Sequence, residues 1–343
     1  MARTADIASP ASTAPPAGTA RRCLVTGASG FVGAAVCRRL LARGWTVHAV
    51  ARRRPERVPA GCASVTTADL REAGEWLAQL DHVDAVVHAA GHAHSAWDGS
   101  AVQRERIIAA NLQPSALLAR ETFRRDLHLV LLSSASVFGD ASPQPLTPDS
   151  PTAPRGPYAM SKYLAEQAVR KAAAAAPGRW TILRPPLVYG PGVQANFLRL
   201  MRWIDRGWSL PLGAVNNRRS LIGVDNLADL AGAVLCEPRA YGRVVLPADG
   251  DWATPALIRA LAQALDRQPR LLGIPEGALR GIAAVTGRIG LNRIAAPLRT
   301  LTASLALRDD WLTDELGWQP PQRAADGFAA TAAWFRSLGR AEE

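Results

Sequence analysis

The chain has 343 residues, 48% hydrophobic and 20% charged, and its mean hydropathy is −0.01. That balance describes a globular protein with room for one large α/β domain and a smaller companion lobe. No apolar run approaches the ~20 residues of a membrane span, so stable membrane insertion is not expected. The formal net charge is +11, yet the arginines are spread along the chain instead of forming a basic stripe, which argues against nucleic acid. Only the run Arg52, Arg53, Arg54 and the pair Arg218, Arg219 stand out. Such groups equally suit small phosphate-bearing ligands.

In chain order, residues 1–20 are small, Pro-rich and aperiodic, and read as a disordered tail. They hold no apolar core of a signal peptide, so a cytoplasmic location is expected. Cys23 to Thr26 is a short apolar strand, Phe31 to Arg43 carries apolar residues at helical spacing, and Gly44 closes that helix. Thr46 to Ala51, Asp84 to His88 and His128 to Ser133 are further strands, with a helix over Ile107 to Arg125. A loop over 143–157 leads into a long helix from Ala159 to Ala176, then a strand from Trp180 to Arg184. This alternation predicts an α/β fold, a doubly wound parallel sheet with helices on both faces. Beyond residue 186 proline, glycine and tryptophan rise, which marks a smaller C-terminal lobe, with Val224–Glu237 and Arg243–Leu246 returning to the first. The four cysteines (Cys23, Cys37, Cys62, Cys236) show no paired spacing and read as reduced, mostly core residues.

Directly after the first strand comes TGASGFVG, with a GxxGxxG spacing. Glycine permits the tight turn, close approach of backbone to a pyrophosphate, and close packing of helix on strand. The helix N-terminus adds free N–H groups and a favourable dipole. Gly27, Ser29, Gly30, Phe31, Val32 and Gly33 are therefore candidate contacts to a dinucleotide, and the strand–turn–helix context supports them. The second strand ends at Ala51, where an NAD site normally has an acid for the ribose 2′-hydroxyl. Arg52 and Arg53 follow and could hold a 2′-phosphate, so NADP is expected and NAD remains possible. The alternative is a solvated basic turn.

Tyr158-Ala-Met-Ser-Lys162 places a phenol and an ammonium at i,i+4 on one helix face. A nearby cation favours the phenolate and lowers the phenol pKa, so the Tyr can carry the proton that accompanies hydride transfer. The chain has four Tyr and just two Lys beside 38 Arg. Random placement gives roughly 0.02 such matches. Arginine is a poor substitute for a compact ammonium that must reach both the Tyr and the ribose hydroxyls, so Tyr158 and Lys162 are candidate cofactor contacts as well. Ser134, at the end of the strand that precedes, can hydrogen-bond a reacting carbonyl, a Ser-rich strand end without a role being the competitor. His88, His92 and His94 fit no helical metal spacing, and Asp98 is the only carboxylate near them, so no metal is expected. His94 is placed near the cleft mouth, touching substrate.

TGASGFVG, VVHAAG, LLSSASVFG, PYAMSK and ILRPPLVYGPG, in that order and spacing, resemble the extended short-chain dehydrogenases/reductases, the NAD-dependent epimerase/dehydratase family that acts on nucleotide sugars. The resemblance extends over residues 22–337. It implies a Rossmann domain over 21–185 and a nucleotide-sugar lobe over 186–343, with 225–246 returning to the first. It implies Ser134, Tyr158 and Lys162 as catalytic residues, Asp69 and Leu70 at the adenine, Ala89, Ala90, Gly91 and Asn111 along the cofactor, and Pro185 beside the nicotinamide. Asn196 and Arg219 fall where the family meets the substrate diphosphate, a surface arginine being the alternative for the latter. LRPPLVYGPG, NFLRLMRW, LPLGAVNNRRSLIGVDNLADL and ELGWQPP are similar to bacterial 4-reductases of UDP-2-acetamido-2,6-dideoxy-4-hexulose, enzymes of surface-polysaccharide biosynthesis. The expected reaction is thus NAD(P)H-dependent reduction of a UDP-4-keto sugar, and a homodimer is compatible with it. The alternative is a UDP-sugar 4-epimerase holding NAD tightly. A redox sensor without turnover would lack the Tyr–Lys pair.

Overall fold

A computed structural model describes residues 21–92, 99–176, 178–288 and 299–339. The tail expected over residues 1–20 lies outside them. In chain order the strands are β1 (Arg22–Thr26), β2 (Thr46–Ala51), β3 (Ser64–Thr67), β4 (Ala85–His88), β5 (His128–Leu132) and β6 (Arg179–Leu183). Then come β7 (Leu187–Tyr189), β8 (Ser209–Leu210), β9 (Arg219–Gly223), β10 (Arg243–Val245), β11 (Gly250–Trp252) and β12 (Arg270–Leu271). Seven of them form one sheet in the order β10-β6-β5-β4-β1-β2-β3, and every pairing in it is parallel. From β1 the chain winds outward through β2 and β3, then returns to the other side with β4. That reversal opens a crevice at the carboxyl ends of β1 and β4, where doubly wound sheets receive ligands.

The helices that cover the sheet are α1 (Phe31–Ala42), α2 (Ala101–Phe123) and α3 (Gly156–Ala175), followed by α4 (Ala195–Asp205), α5 (Val224–Leu235) and α6 (Thr254–Leu265). One core joins α1 and α5 to the sheet through Val36, Leu40, Leu227 and Val234. The opposite face carries Leu118, Phe123 and Val169 from α2 and α3. β4 and β5 read as unbroken apolar runs because both of their faces are covered. A third core, built on Phe197, Met201, Leu221, Leu261 and Phe328, fills the space between α4, α6, the antiparallel pair β9–β11 and the C-terminal helix Ala324–Gly339. Phe31 packs against both the first and the third of these cores.

Several elements differ from the sequence expectation. β3 is an edge strand of alternating exposure, too polar and short to announce itself. α2 begins at Ala101 because the Ser100 hydroxyl accepts from the Gln103 amide, a cap ahead of two turns of mostly exposed polar residues. α3 starts at Gly156, since Pro157 is well suited to a first turn, and Tyr158 therefore sits in that turn. Two of the four cysteines depart from the core reading: Cys62 is half-buried, and Cys236, just past the end of α5, is exposed.

Candidate active site

The turn between β1 and α1 is built by close approach. Gly27 has a left-handed backbone (φ +71°), and a Cβ there would lie 2.6 Å from the Ala90 amide nitrogen. A Cβ on Gly33 would lie 2.1 Å from the Gly27 carbonyl oxygen, so only glycine lets α1 pack this close to the turn. No side chain caps α1 and its first turn holds no acid. Its free N–H groups and the positive end of its dipole thus face the crevice, as an anion requires. The Ser29 hydroxyl donates to the Arg53 carbonyl at 2.8 Å, which fixes the basic run beside the turn.

A cavity of about 220 Å³ extends from this turn across the sheet end. Gly27, Ser29, Gly30, Arg52, Arg53, Asp69, Leu70, Ala89, Ala90 and Gly91 line it, as do Val50, Arg71, His92, Ala110 and Pro114, which sequence reading missed. Pro114 was hidden inside a helix, but it lacks the amide hydrogen that would bond the Ala110 carbonyl, and that pair faces the cavity. Arg71 grips Asp69 with Nε to Oδ1 at 3.0 Å and Nη2 to Oδ2 at 2.5 Å. Those bonds hold the Asp69 carboxyl down to about 2, with Arg52 adding to the effect. After β2, Ala51 is buried, and the exposed Arg52 and Arg53 line this side of the cavity.

Other predicted contacts act from behind the wall. Phe31 packs on Gly192, Val32 faces the core, and Asn111 is 2% exposed. The Asn111 side chain accepts from the His92 amide at 2.6 Å and donates to the Ser161 hydroxyl at 2.7 Å, so it reaches the cavity through His92. His88 is buried between Thr26 (2.7 Å) and Ser115 (3.0 Å), and burial lowers its pKa to about 3. It is neutral and occupied. Among the described residues no three His, Cys, Asp or Glu side chains gather as metal ligands. His94 lies outside the described residues.

Ser134, Tyr158 and Lys162 do not line this cavity; the three meet beyond it, where Lys162 lies behind the lining residue Gly91. Ser134 follows β5 and its hydroxyl accepts from the Ser136 amide at 3.2 Å. The Ala135 amide donates to the Pro185 carbonyl at 2.8 Å, which brings the exit of β6 alongside. The Ser134 side chain acts on the Tyr158 phenol and favours its ionised form. Lys162 is buried, its ammonium donates to the Leu132 carbonyl at 2.7 Å, and a Cβ on Gly91 would lie 3.1 Å from Nζ. Gly91 therefore joins the ammonium to the cavity wall. Burial pushes the Lys162 pKa down to about 8, the Glu166 carboxylate opposing the shift. Sequence reasoning expected the cation to lower the Tyr158 pKa. Instead burial raises it, and the Ser134 side chain offsets only part of the rise. The Lys162 ammonium is directed at the Leu132 carbonyl.

A second, smaller cavity of about 70 Å³ is lined by Asn196, Phe197, Trp203, Arg219, Trp252 and Leu257 among others. Asn196 is exposed in the first turn of α4. Arg219 opens β9 and donates from Nη1 to the carbonyls of Thr300 (2.9 Å) and Ala303 (3.1 Å). Burial lowers its pKa, and among the described residues no carboxylate forms an ion pair with it. Its neighbour Arg218, by contrast, is exposed and paired with Asp251 at 2.7 Å.

A glycine cradle, an uncapped helix N-terminus and a long lined cavity fit a dinucleotide, and the comparisons with known proteins agree. Residues 23–245 match the model of the NAD dependent epimerase/dehydratase family. The chain is 30% identical to a UDP-glucose 4-epimerase of Vibrio cholerae over 317 residues, 91% of this chain and 94% of that one. It is 27% identical to a ceramide reductase of Caulobacter vibrioides over 328 residues, 92% of this chain and 94% of that one. Among solved structures, the Bordetella bronchiseptica enzyme WbmG in complex with NAD and UDP superposes with a TM-score of 0.73 at 19% identity, covering 95% of this chain and 97% of its own. At that identity the likeness shows the fold.

Proposed function

Because the chain belongs to the NAD-dependent epimerase/dehydratase family, and is an NAD(P)-dependent enzyme of the extended short-chain dehydrogenase type, we propose that it reduces the 4-ketone of a UDP-4-keto-6-deoxy-N-acetylhexosamine with NADPH. The observation that carries this reading is the wall of the first cavity, where Ala51 replaces the expected acid and Arg52 and Arg53 offer two guanidinium groups. A phosphorylated dinucleotide that enters reduced and leaves oxidised suits such a wall. An epimerase must instead retain its dinucleotide through an oxidation and a reduction.

When bound, the dinucleotide supplies the hydride for the carbonyl carbon. The chain supplies the rest. Gly27, Gly30 and the start of α1 take the pyrophosphate, Arg52 and Arg53 the 2′-phosphate, and Asp69 with Leu70 the adenine. Asn196 and Arg219, which no carboxylate among the described residues pairs directly, take the substrate diphosphate, a charge-assisted pairing. Ser134 and Tyr158 present two hydroxyls where negative charge grows on the carbonyl oxygen. Tyr158, whose raised pKa keeps it protonated at neutral pH, gives its proton to that oxygen. For Lys162 to favour the phenolate left behind, its ammonium would turn from the Leu132 carbonyl towards the phenol.

The Vibrio relative, a UDP-glucose 4-epimerase, favours the second reading, a 4-epimerase with tightly held NAD. The Caulobacter relative, a reductase similar over the same length, favours the first. Purified protein is expected to oxidise NADPH stoichiometrically with UDP-2-acetamido-2,6-dideoxy-4-hexulose and to act little on UDP-GlcNAc or UDP-glucose. Interconversion of UDP-GlcNAc and UDP-GalNAc without added cofactor, by protein purified with NAD, would replace the reductase with the epimerase.

A further inference from the structure

Beneath the candidate centre lies a buried ion pair to which neither the resemblance nor the reaction assigns a role. Glu166 is fully buried on α3, one turn beyond Lys162. Its carboxylate accepts from Arg184 twice, Nε to Oε1 at 3.0 Å and Nη2 to Oε2 at 2.7 Å, and also from the Ser133 hydroxyl. Ser133 precedes the candidate Ser134, and its amide donates to the Leu183 carbonyl at 2.7 Å. Arg184 precedes Pro185, and its guanidinium lies 4.7 Å from the centroid of the Phe138 ring. One carboxylate therefore ties the exits of β5 and β6 to the helix that carries Tyr158 and Lys162. A buried pair adds little net stability compared with apolar packing, so its presence needs a reason other than stability.

We propose that Glu166 is a positioning residue of this centre: through Ser133 and Arg184 it sets the two strand exits against α3, the helix on which Lys162 lies one turn before it. The groups facing the Lys162 ammonium make the Glu166 charge matter. His88 at the end of β4 is neutral, Tyr158 is a protonated phenol, and the Leu132 carbonyl is a dipole. Arg184 and Arg170 face Glu166 from β6 and from the next turn of α3. Among the described residues Glu166 is the carboxylate that acts on Lys162, and it opposes the burial that would strip the proton. Sign follows directly: without Glu166 the ammonium is lost at lower pH.

The proposal rests on the reductase reading only for its kinetic consequence, and the test separates the two. The chain has two lysines, Lys162 and Lys171, so protein labelled with ¹³Cε-lysine gives two resonances that titrate without any substrate. In the wild type the Lys162 signal is expected to titrate near about 8, with Lys171 as internal reference. In Glu166→Gln its midpoint falls by at least about half a pH unit, and in Glu166→Asp it returns towards the wild type. The double variant Glu166→Gln/Arg184→Met leaves no lone buried charge, and shows the same fall if the single variant is unstable. With the keto-sugar, kcat falls about tenfold or more in Glu166→Gln while KM stays within about threefold. An unmoved Lys162 midpoint in either folded variant overturns the proposal. So does failure of both to fold, which makes the pair part of the core alone. Absence of turnover by wild-type protein would sink the reductase reading and leave the titration standing.

Discussion

Replacing Tyr158 by Phe removes one oxygen from the centre and leaves the ring in place. The lost oxygen takes with it the influence of the Ser134 side chain. Even a full hydrogen bond there would be worth about 0.5–1.5 kcal/mol net, so the melting temperature should fall by about 2–4 °C at most. The glycine turn, α1 and the wall of Arg52 and Arg53 do not touch the phenol, so NADPH binding followed by nucleotide fluorescence should change less than about twofold. Turnover is different, because the hydroxyl is the group placed to donate a proton. General acid catalysis contributes about 10²–10⁴-fold, equal to about 2.7–5.5 kcal/mol of barrier. NADPH absorbance with the UDP-4-keto sugar should therefore fall by at least about a hundredfold in kcat. Ser134→Ala should lose less, since it removes a hydrogen-bond donor and spares the proton donor. Tyr158→Phe that folds, binds NADPH and keeps more than about a tenth of wild-type kcat would refute the role given to the phenol.

Two further outcomes test the ligand sites. Arg52→Ala/Arg53→Ala should raise KM for NADPH about tenfold or more and leave KM for NADH within about twofold, because charge-assisted bonds to a 2′-phosphate are worth about 1.5–3 kcal/mol each. An unchanged KM for NADPH removes the 2′-phosphate from this wall. Arg219→Ala should weaken UDP binding by calorimetry about tenfold or more, whereas Arg218→Ala, whose guanidinium already pairs with Asp251, should change it by less than about twofold. Equal affinity in wild type and Arg219→Ala would place the nucleotide elsewhere.

The parallel sheet was legible because its central strands are apolar runs broken by glycine and by helices of clear period, and β1, β2, β4, β5 and β6 fall where those runs lie. β3 was not legible, since an edge strand with one solvated face needs no apolar run. The site divides in the same way. Residues whose chemistry depends on local spacing, such as the glycines of the turn or Tyr158 and Lys162, announce themselves within eight residues of chain. Arg71, His92 and Pro114 reach the first cavity only because distant segments are brought together by β4, α2 and the turn after β3. The tertiary setting also reversed one sign. An i,i+4 lysine lowers a phenol pKa when the two face each other in water, but here Lys162 turns to a carbonyl and burial governs Tyr158.

The arginine excess that first raised nucleic acid as a partner has a structural account. Arg39 and Arg43 meet on Asp229, Arg125 is shared by Asp81 and Glu121, and Arg184 is committed to Glu166. Others lie over aromatic rings, as Arg170 does on Trp180 and Arg243 on Trp311. Such arginines are committed to carboxylates or aromatic rings of the chain itself. The informative ones are those that line a cavity without a carboxylate of their own. Arg52 and Arg53 stand exposed along the first cavity, and Arg219 is turned inward at the second and held by two carbonyls. A buried guanidinium bonded only to neutral acceptors leaves charge for a ligand to complete. Under the proposed function, a dinucleotide beside the glycine turn and a nucleoside-diphosphate sugar at the smaller cavity would fill these two places, and a hydride transfer requires the two to meet at one centre.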